Sequence, residues 1–453
     1  MDILQTLAAV MTFVAGGYFT VKIRAFYFLH PIKTLKSVPR DGVRQMLLSL
    51  GGTVGVGNIS GVAVAIMLGG AGSVFWMWIG AFFAMALKYA EITLGMVDKK
   101  GAQYYIKKGL GTFAAALFSA MLILDVVLMG GMIQSSAIAE ATYTAFGISP
   151  FVSGIVVSLL ASSVFFFKVD LFRLSSYVVP FMSLSYTALS LTVIFANIER
   201  LPQVFSEIFR DAFSLDSAAG GIFGFMFTPS MRQGIVKGLF SNEAGCGTAP
   251  SAHATSSEKV PARQGLFGIF EVFVDTVLMC TLTALVILVT IGDNLSQIGG
   301  GGIGICVRAF EMLIGSAASP VLAAFVFLFA FSAIVSFGYY GMQTFKNNRT
   351  RDAFLLVYCF SLMLGAVSAP LAIWSIADAV ICTMLLLNTS AVFVLRRTVL
   401  KLHKCFYTHM GNASHRASST SSFCFASTKN EIPMSETDTK RGSISRSRQN
   451  FAK

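Results

Sequence analysis

Two stretches carry residue types that could bind a small polar ligand. Residues 51–61 read GGTVGVGNISG and residues 237–250 read KGLFSNEAGCGTAP. The first sets Thr53, Asn58 and Ser60 among Gly51, Gly52, Gly55 and Gly57; the second sets Ser241 and Asn242 among Gly238, Gly245 and Gly247. In a soluble domain the first would read as a phosphate-binding loop between a strand and a helix. Here QMLLSL precedes it and VAVAIMLGG follows it, so it interrupts an apolar run. Backbone unwound inside such a run exposes N–H groups at one half-helix end, which favour a carboxylate, and carbonyls at the other, which favour a cation or an ammonium. A zwitterionic amino acid with a small cation suits such a pair of ends.

Other chemistry is sparse. The seven cysteines (246, 280, 306, 359, 382, 405 and 424) form no CxxC, and the five histidines form no HExxH, so neither a disulfide framework nor a metal cluster is expected. Lys88 and Glu91 are three apart and Glu271 and Asp275 four apart, so each pair can share a helix face. Asp125, Glu140 and Asp378 are further charges in apolar surroundings. Glu243 lies beside the second glycine cluster, where bonding freed backbone groups is its plainest role.

Composition names the solvent. Of 453 residues, 55% are hydrophobic and 12% charged, with mean hydropathy +0.71. Soluble domains carry about 25% charged residues, so this chain cannot cover a water-facing surface and its surroundings are a lipid bilayer. The net charge of +12 comes from short basic clusters between apolar runs and from the tail, a topological pattern and not a nucleic-acid surface. The first apolar run has no basic leader or clear cleavage site and is read as a retained helix.

A spanning helix needs roughly 20 apolar residues. Eleven runs qualify, at about 3–24, 43–70, 73–96, 113–146, 150–167, 174–196, 231–254, 264–292, 319–345, 353–369 and 372–396. Every odd-numbered run is followed by a basic loop, from Lys22 and Arg24 after the first to Arg396, Arg397, Lys401 and Lys404 after the last. This places the N-terminus outside and the C-terminus in the cytoplasm of a multi-pass protein of the cell membrane. Residues 1–42 then hold an extra N-terminal helix and basic loop, 197–230 an extracellular loop with short helices, and 397–453 a disordered, basic, Ser/Thr-rich cytoplasmic tail.

With the first span set aside, the glycine-broken spans lead two halves of five, 43–196 and 231–396. Five is odd, so the halves have opposite orientation, the inverted repeat of secondary transporters. Close helix packing accounts for one glycine cluster; two at corresponding positions fit a midplane site better.

These stretches, with YYIKKGLG, GGMIQSSAIAEA, FAFSAIVSFGYYG and IWSIAD, resemble the alanine or glycine:cation symporter family, also called sodium:alanine symporters. The resemblance covers most of residues 10–395, and SNEAG-G-AP followed by P-RQG is its most specific part. It implies an all-α, leucine-transporter-like core of ten helices with an inverted 5+5 repeat and one added N-terminal helix. It also implies sodium-driven uptake of alanine, glycine or similar small neutral amino acids, with no other cofactor.

The matching positions imply roles. Thr53, Gly55, Gly57 and Asn58 fall on the family's unwound stretch, where backbone N–H groups would take the substrate carboxylate. Gln134 matches the glutamine placed beside the amino acid; its alternative role is to tie two helices together. Phe240, Ser241 and Asn242 match the second unwound segment, Phe240 limiting space at the α-carbon. Sodium would take carbonyls near Gly52 and Gly55 and the hydroxyl of Ser332. The family often has threonine where this chain has Ala333 and tryptophan where it has Phe337. A proton is the alternative coupling ion. A membrane enzyme finds no catalytic constellation here, and a channel would pass current without saturating.

Overall fold

The computed structural model describes residues 2–39, 41–214, 228–292, 301–368 and 370–410, and among these all regular structure is helical. Eight helices are long and apolar enough to cross a bilayer, or nine spans if a bent pair is one. Each of the eleven expected runs maps onto a helical element. The eight are Leu4–Lys22, Ser73–Asp98, Thr112–Phe146, Leu171–Ala196, Pro261–Thr290, Gly302–Thr344, Asn348–Val367 and Ile373–Val394. The bent pair is Val43–Thr53 and Val56–Gly69, whose halves meet at 58°. The fifth run is a shorter apolar helix, Pro150–Phe166. The seventh is split into Pro229–Asn242 and Ala249–His253, each too short to pass alone.

Five helices frame the two breaks and are labelled in chain order: α1 is Val43–Thr53, α2 Ser60–Gly69, α3 Ser73–Asp98, α4 Pro229–Asn242 and α5 Ala249–His253. Helix starts follow local signals. Thr228 accepts the N–H of Met231 at 3.3 Å ahead of Pro229, and Asp170 accepts that of Arg173 at 3.1 Å. Each satisfies a donor that a helix N-terminus leaves free.

The core is built around α3, which packs against α4 and against Pro261–Val272 and is buried along most of its length. Small residues set the approach: a Cβ on Gly268 would meet the Lys88 carbonyl at 3.0 Å, and one on Gly16 would meet that of Phe83 at 2.6 Å. Without a hydrophobic drive between helices in lipid, such close backbone contact supplies much of the association energy.

Three features were not anticipated. Thr112–Phe146 and Pro261–Thr290 each contain a π-helical segment, Leu128–Ile133 and Phe273–Cys280. A helix, Gly302–Ile314, precedes the ninth run and brings Cys306 Sγ to donate to the Ile59 carbonyl at 3.4 Å. The tail expected to be disordered from 397 begins as a helix, Arg396–Met410, because Val399, Leu402, His403 and Phe406 form one buried face. The remainder of that tail, 411–453, lies outside the described residues, as do 215–227 of the 197–230 loop.

Candidate functional site

The two breaks meet. α1 ends at Thr53, whose Oγ1 donates to the Leu50 carbonyl at 3.2 Å. Asn58 folds back so that Oδ1 accepts the Gly55 N–H at 2.9 Å, holding the short 3₁₀ turn Val56–Asn58. A side chain at Gly57 would stand 3.6 Å from Ser241 Cα, so the first break lies directly against the second. Gly55 faces Gln134, whose Oε1 would be 3.3 Å from an added Cβ.

Asn58 joins the breaks through a residue that sequence reasoning left unassigned. Its Nδ2 donates to Asp275 Oδ1 at 2.8 Å and lies 3.0 Å from Ser241 Oγ. Asp275 Oδ2 accepts from Ser241 Oγ at 2.9 Å and from Thr276 Oγ1 at 2.8 Å. Asn58 and Asp275 are fully buried. Hydrogen-bond donors from three elements thus stabilise one carboxylate between the two unwound segments. The only signal in the sequence was an aspartate in an apolar span.

Gln134 sits where the fourth span leaves its π-helical segment. Its Nε2 donates to the Met129 carbonyl at 3.2 Å and its Oε1 accepts from Val56 N–H at 3.4 Å. The amide therefore bridges the fourth span and the first break. Phe337 is buried against Gly130, where an added Cβ would collide with it, and stacks edge-on with Tyr340 at 5.6 Å. Phe240 is buried, with the ammonium of Lys237 5.5 Å from its ring centroid and 5.0 Å from that of Trp374.

The ninth span supplies hydroxyls to α1. Ser336 Oγ donates to the Leu48 carbonyl at 2.7 Å, and Ser332 Oγ would lie 2.6 Å from a Cβ on Gly51. Gly52 lies beside Tyr340, whose hydroxyl would be 3.1 Å from an added Cβ. Glycine at 51 lets the α1 backbone approach Ser332, and carbonyls beside a hydroxyl are the ligands a hard monovalent cation takes. Among the described residues no group of three or more His, Cys, Asp or Glu could hold a metal ion. The donor set available to a cation here is oxygen from carbonyls, hydroxyls and single carboxylates.

The second break engages Lys88, Glu91 and Glu243. Glu243, Gly245 and Gly247 have left-handed backbone, at φ 52°, 91° and 77°. Freed groups are taken up one by one: Ala244 N–H by Asn242 Oδ1 at 3.0 Å, Gly245 N–H by Glu91, the Gly245 carbonyl by Asn388 Nδ2 at 2.9 Å, and the Asn242 carbonyl by Lys88 Nζ at 2.6 Å. Glu243 does not perform this task; its Oε2 accepts from Thr248 Oγ1 at 2.6 Å. Lys88 and Glu91 share a helix yet serve different partners, and Lys88 pairs with Glu271 at 3.3 Å instead. Asp378 accepts from Gln5 Nε2 at 3.0 Å.

Two glycine-broken helices meeting at mid-span, in a chain of crossing helices, define a multi-pass membrane protein with a leucine-transporter-like fold. The crystal structure of MhsT in complex with L-phenylalanine shares that fold, with TM-score 0.57 and 13% identity over 85% of this chain and 95% of that one. The chain belongs to the sodium:alanine symporter family, which it matches over residues 2–420. It is 32% identical over 409 residues to the probable sodium/glutamine symporter GlnT of Bacillus subtilis, covering 85% of this chain and 84% of that protein. It is 36% identical over 387 residues to the putative sodium/proton-dependent alanine carrier protein YrbD of the same species, covering 79% of each. The sodium/alanine symporter AgcS of Methanococcus maripaludis is 31% identical over 388 residues, covering 80% and 83%. Membership places the chain among cation-coupled amino-acid transporters.

Proposed function

We propose that the chain imports a small neutral amino acid, alanine or glycine, with sodium, by alternating access across the cell membrane. The observation that carries this reading is the abutment of the breaks, with Gly57 against Ser241 and Asn58 bonded to Asp275. Backbone N–H groups from Thr53 to Gly57 take the substrate carboxylate, those of Gly55 and Val56 exchanging Asn58 Oδ1 and Gln134 Oε1 for it as substrate enters, and the Asn58 and Gln134 amides then orient it. Carbonyls at Phe240 and Ser241 take the ammonium, that of Asn242 being held by Lys88, and Phe240 and Phe337 bound the space for the side chain. Sodium is held by carbonyls near Gly52 and Gly55 and by Ser332.

In this reading the N-terminus is outside and the C-terminus cytoplasmic, and residues 43–196 and 231–396 are the two inverted halves. The second reading is proton coupling, favoured by Ala333, which offers no hydroxyl beside Ser332. Labelled alanine, glycine and glutamine uptake by the purified protein in liposomes, under separate sodium and proton gradients, tests substrate and ion together.

A further inference from the structure

Glu271 gathers the parts of both broken helices that lie on the side of the basic loops. Its Oε2 receives Ser49 Oγ at 2.9 Å and Lys88 Nζ at 3.3 Å; its Oε1 receives His253 Nε2 at 2.6 Å. Ser49 is on α1, just before the first break, and His253 is the last residue of α5, just after the second. Lys88 completes the circuit by donating to the carbonyl of Asn242, where α4 ends. Ser49, Lys88, His253 and Gln264 have no solvent exposure and Glu271 has 1%.

Gln264 holds His253 from its other side: Ser256 Oγ donates to Gln264 Oε1 at 3.0 Å, and the Gln264 amide nitrogen lies 2.8 Å from His253 Nδ1. Gln264 also covers Gly42 at the start of α1, at φ 93°, where an added Cβ would collide with its amide. Thus α1 is held near both ends.

A fully buried ion pair contributes little net stability against an apolar replacement of similar volume; its attested use is to fix one arrangement. Here the arrangement fixed is that of two half-helices relative to α3 and Pro261–Val272. We propose that Glu271 is a positioning residue that latches α1 and α5 shut on the cytoplasmic side, and that its bonds to Ser49 and His253 are exchanged for water when that side opens. The ion pair with Lys88 stays with the scaffold, because both residues lie on unbroken helices. This inference rests on the transport reading above.

The test is hydrogen–deuterium exchange of the full-length protein in lipid nanodiscs, alongside alanine uptake by the same protein in liposomes. Glu271→Gln strips Lys88 of its counter-charge, so Ser49→Ala, which removes one tie and no charge, is the second variant. Ser49→Ala is expected to speed exchange about tenfold in 43–53 and 249–256 while 73–98 keeps its wild-type rate. It should also raise the external KM for alanine, because the outward-facing state is less populated, with kcat less affected. Glu271→Gln should act in the same segments and more strongly. Unchanged exchange in 43–53 in Ser49→Ala overturns the latch, as does acceleration spread evenly over all helices. Accelerated exchange confined to those segments, in a protein that takes up no amino acid, sustains the latch and overturns the transport reading instead.

Discussion

Asn58 Nδ2 and Asp275 Oδ1 are 2.8 Å apart, and the other oxygen of the same carboxylate receives Ser241 Oγ at 2.9 Å. One buried aspartate on the eighth span thereby fixes how the two unwound segments face each other. Asn58→Ala removes a donor from that carboxylate and the acceptor for Gly55 N–H. An unmet buried hydrogen-bonding group costs about 1–3 kcal/mol, so alanine affinity should fall roughly fivefold to 150-fold. Calorimetry on purified protein measures this; wild-type affinity would remove Asn58 from the site.

Gln134→Ala should weaken substrate binding by a similar factor and leave insertion and folding largely intact. The reason is position: the amide spans from the Met129 carbonyl to the Val56 N–H, at the first break. If affinity is unchanged and only thermal stability falls, Gln134 is a tie between helices and not a substrate contact.

Phe240 is buried beside Ser241 at the second break. Replacing it with alanine opens space next to the substrate α-carbon, and leucine should then compete with labelled alanine where it did not before. Equal competition by leucine in the unmodified protein would contradict the role given to this ring.

The docking of Arg396–Met410 should depend on pH. His403 is 7% exposed, lies 2.9 Å from the Tyr89 hydroxyl and packs on Phe26, and burial lowers its pKa from 6.5 to about 4. Undocked, it takes a proton near pH 6.5; docked, it resists until about pH 4. Docking is therefore at full strength above pH 6.5 and weakens by up to about 3 kcal/mol as pH falls to 4. Limited proteolysis after Arg396 or Arg397 should accelerate from pH 7 to pH 5, and His403→Gln should flatten that dependence. A cleavage rate that ignores pH in the wild type would contradict it.

Much of this architecture was legible because lipid makes strong demands on sequence. The eleven apolar runs and the two glycine clusters each fell on helical elements among the described residues. Thr53, Gly55, Gly57, Asn58, Gln134, Ser241 and Ser332 do lie at or beside the breaks. Pairings across helices were not legible. Spacing put Lys88 with Glu91 and Glu271 with Asp275, but a shared face brings two side chains near one another without choosing their partners. Glu91 turned to Gly245 N–H, Lys88 to Glu271, and Asp275 to Asn58, each choice set by helices far away in the chain. The tail misled for a different reason: Val399, Leu402, His403 and Phe406 recur at i, i+3, i+4 and i+7, a helical face that the polar residues around and after it obscured.

Ser332→Ala should raise the sodium concentration for half-maximal uptake several-fold, since it removes a hydroxyl facing the α1 backbone at Gly51. Unaltered sodium dependence in that variant would move the cation site away from the ninth span.

Sodium-coupled import is decided by uptake of labelled alanine into liposomes holding the purified protein, with an inward sodium gradient and with choline in its place. Saturable accumulation above equilibrium is expected with sodium, and its collapse with choline whatever pH gradient is imposed. Accumulation that persists in choline and follows the pH gradient would contradict sodium coupling, and no accumulation of alanine or glycine under either gradient would contradict the proposed transport itself.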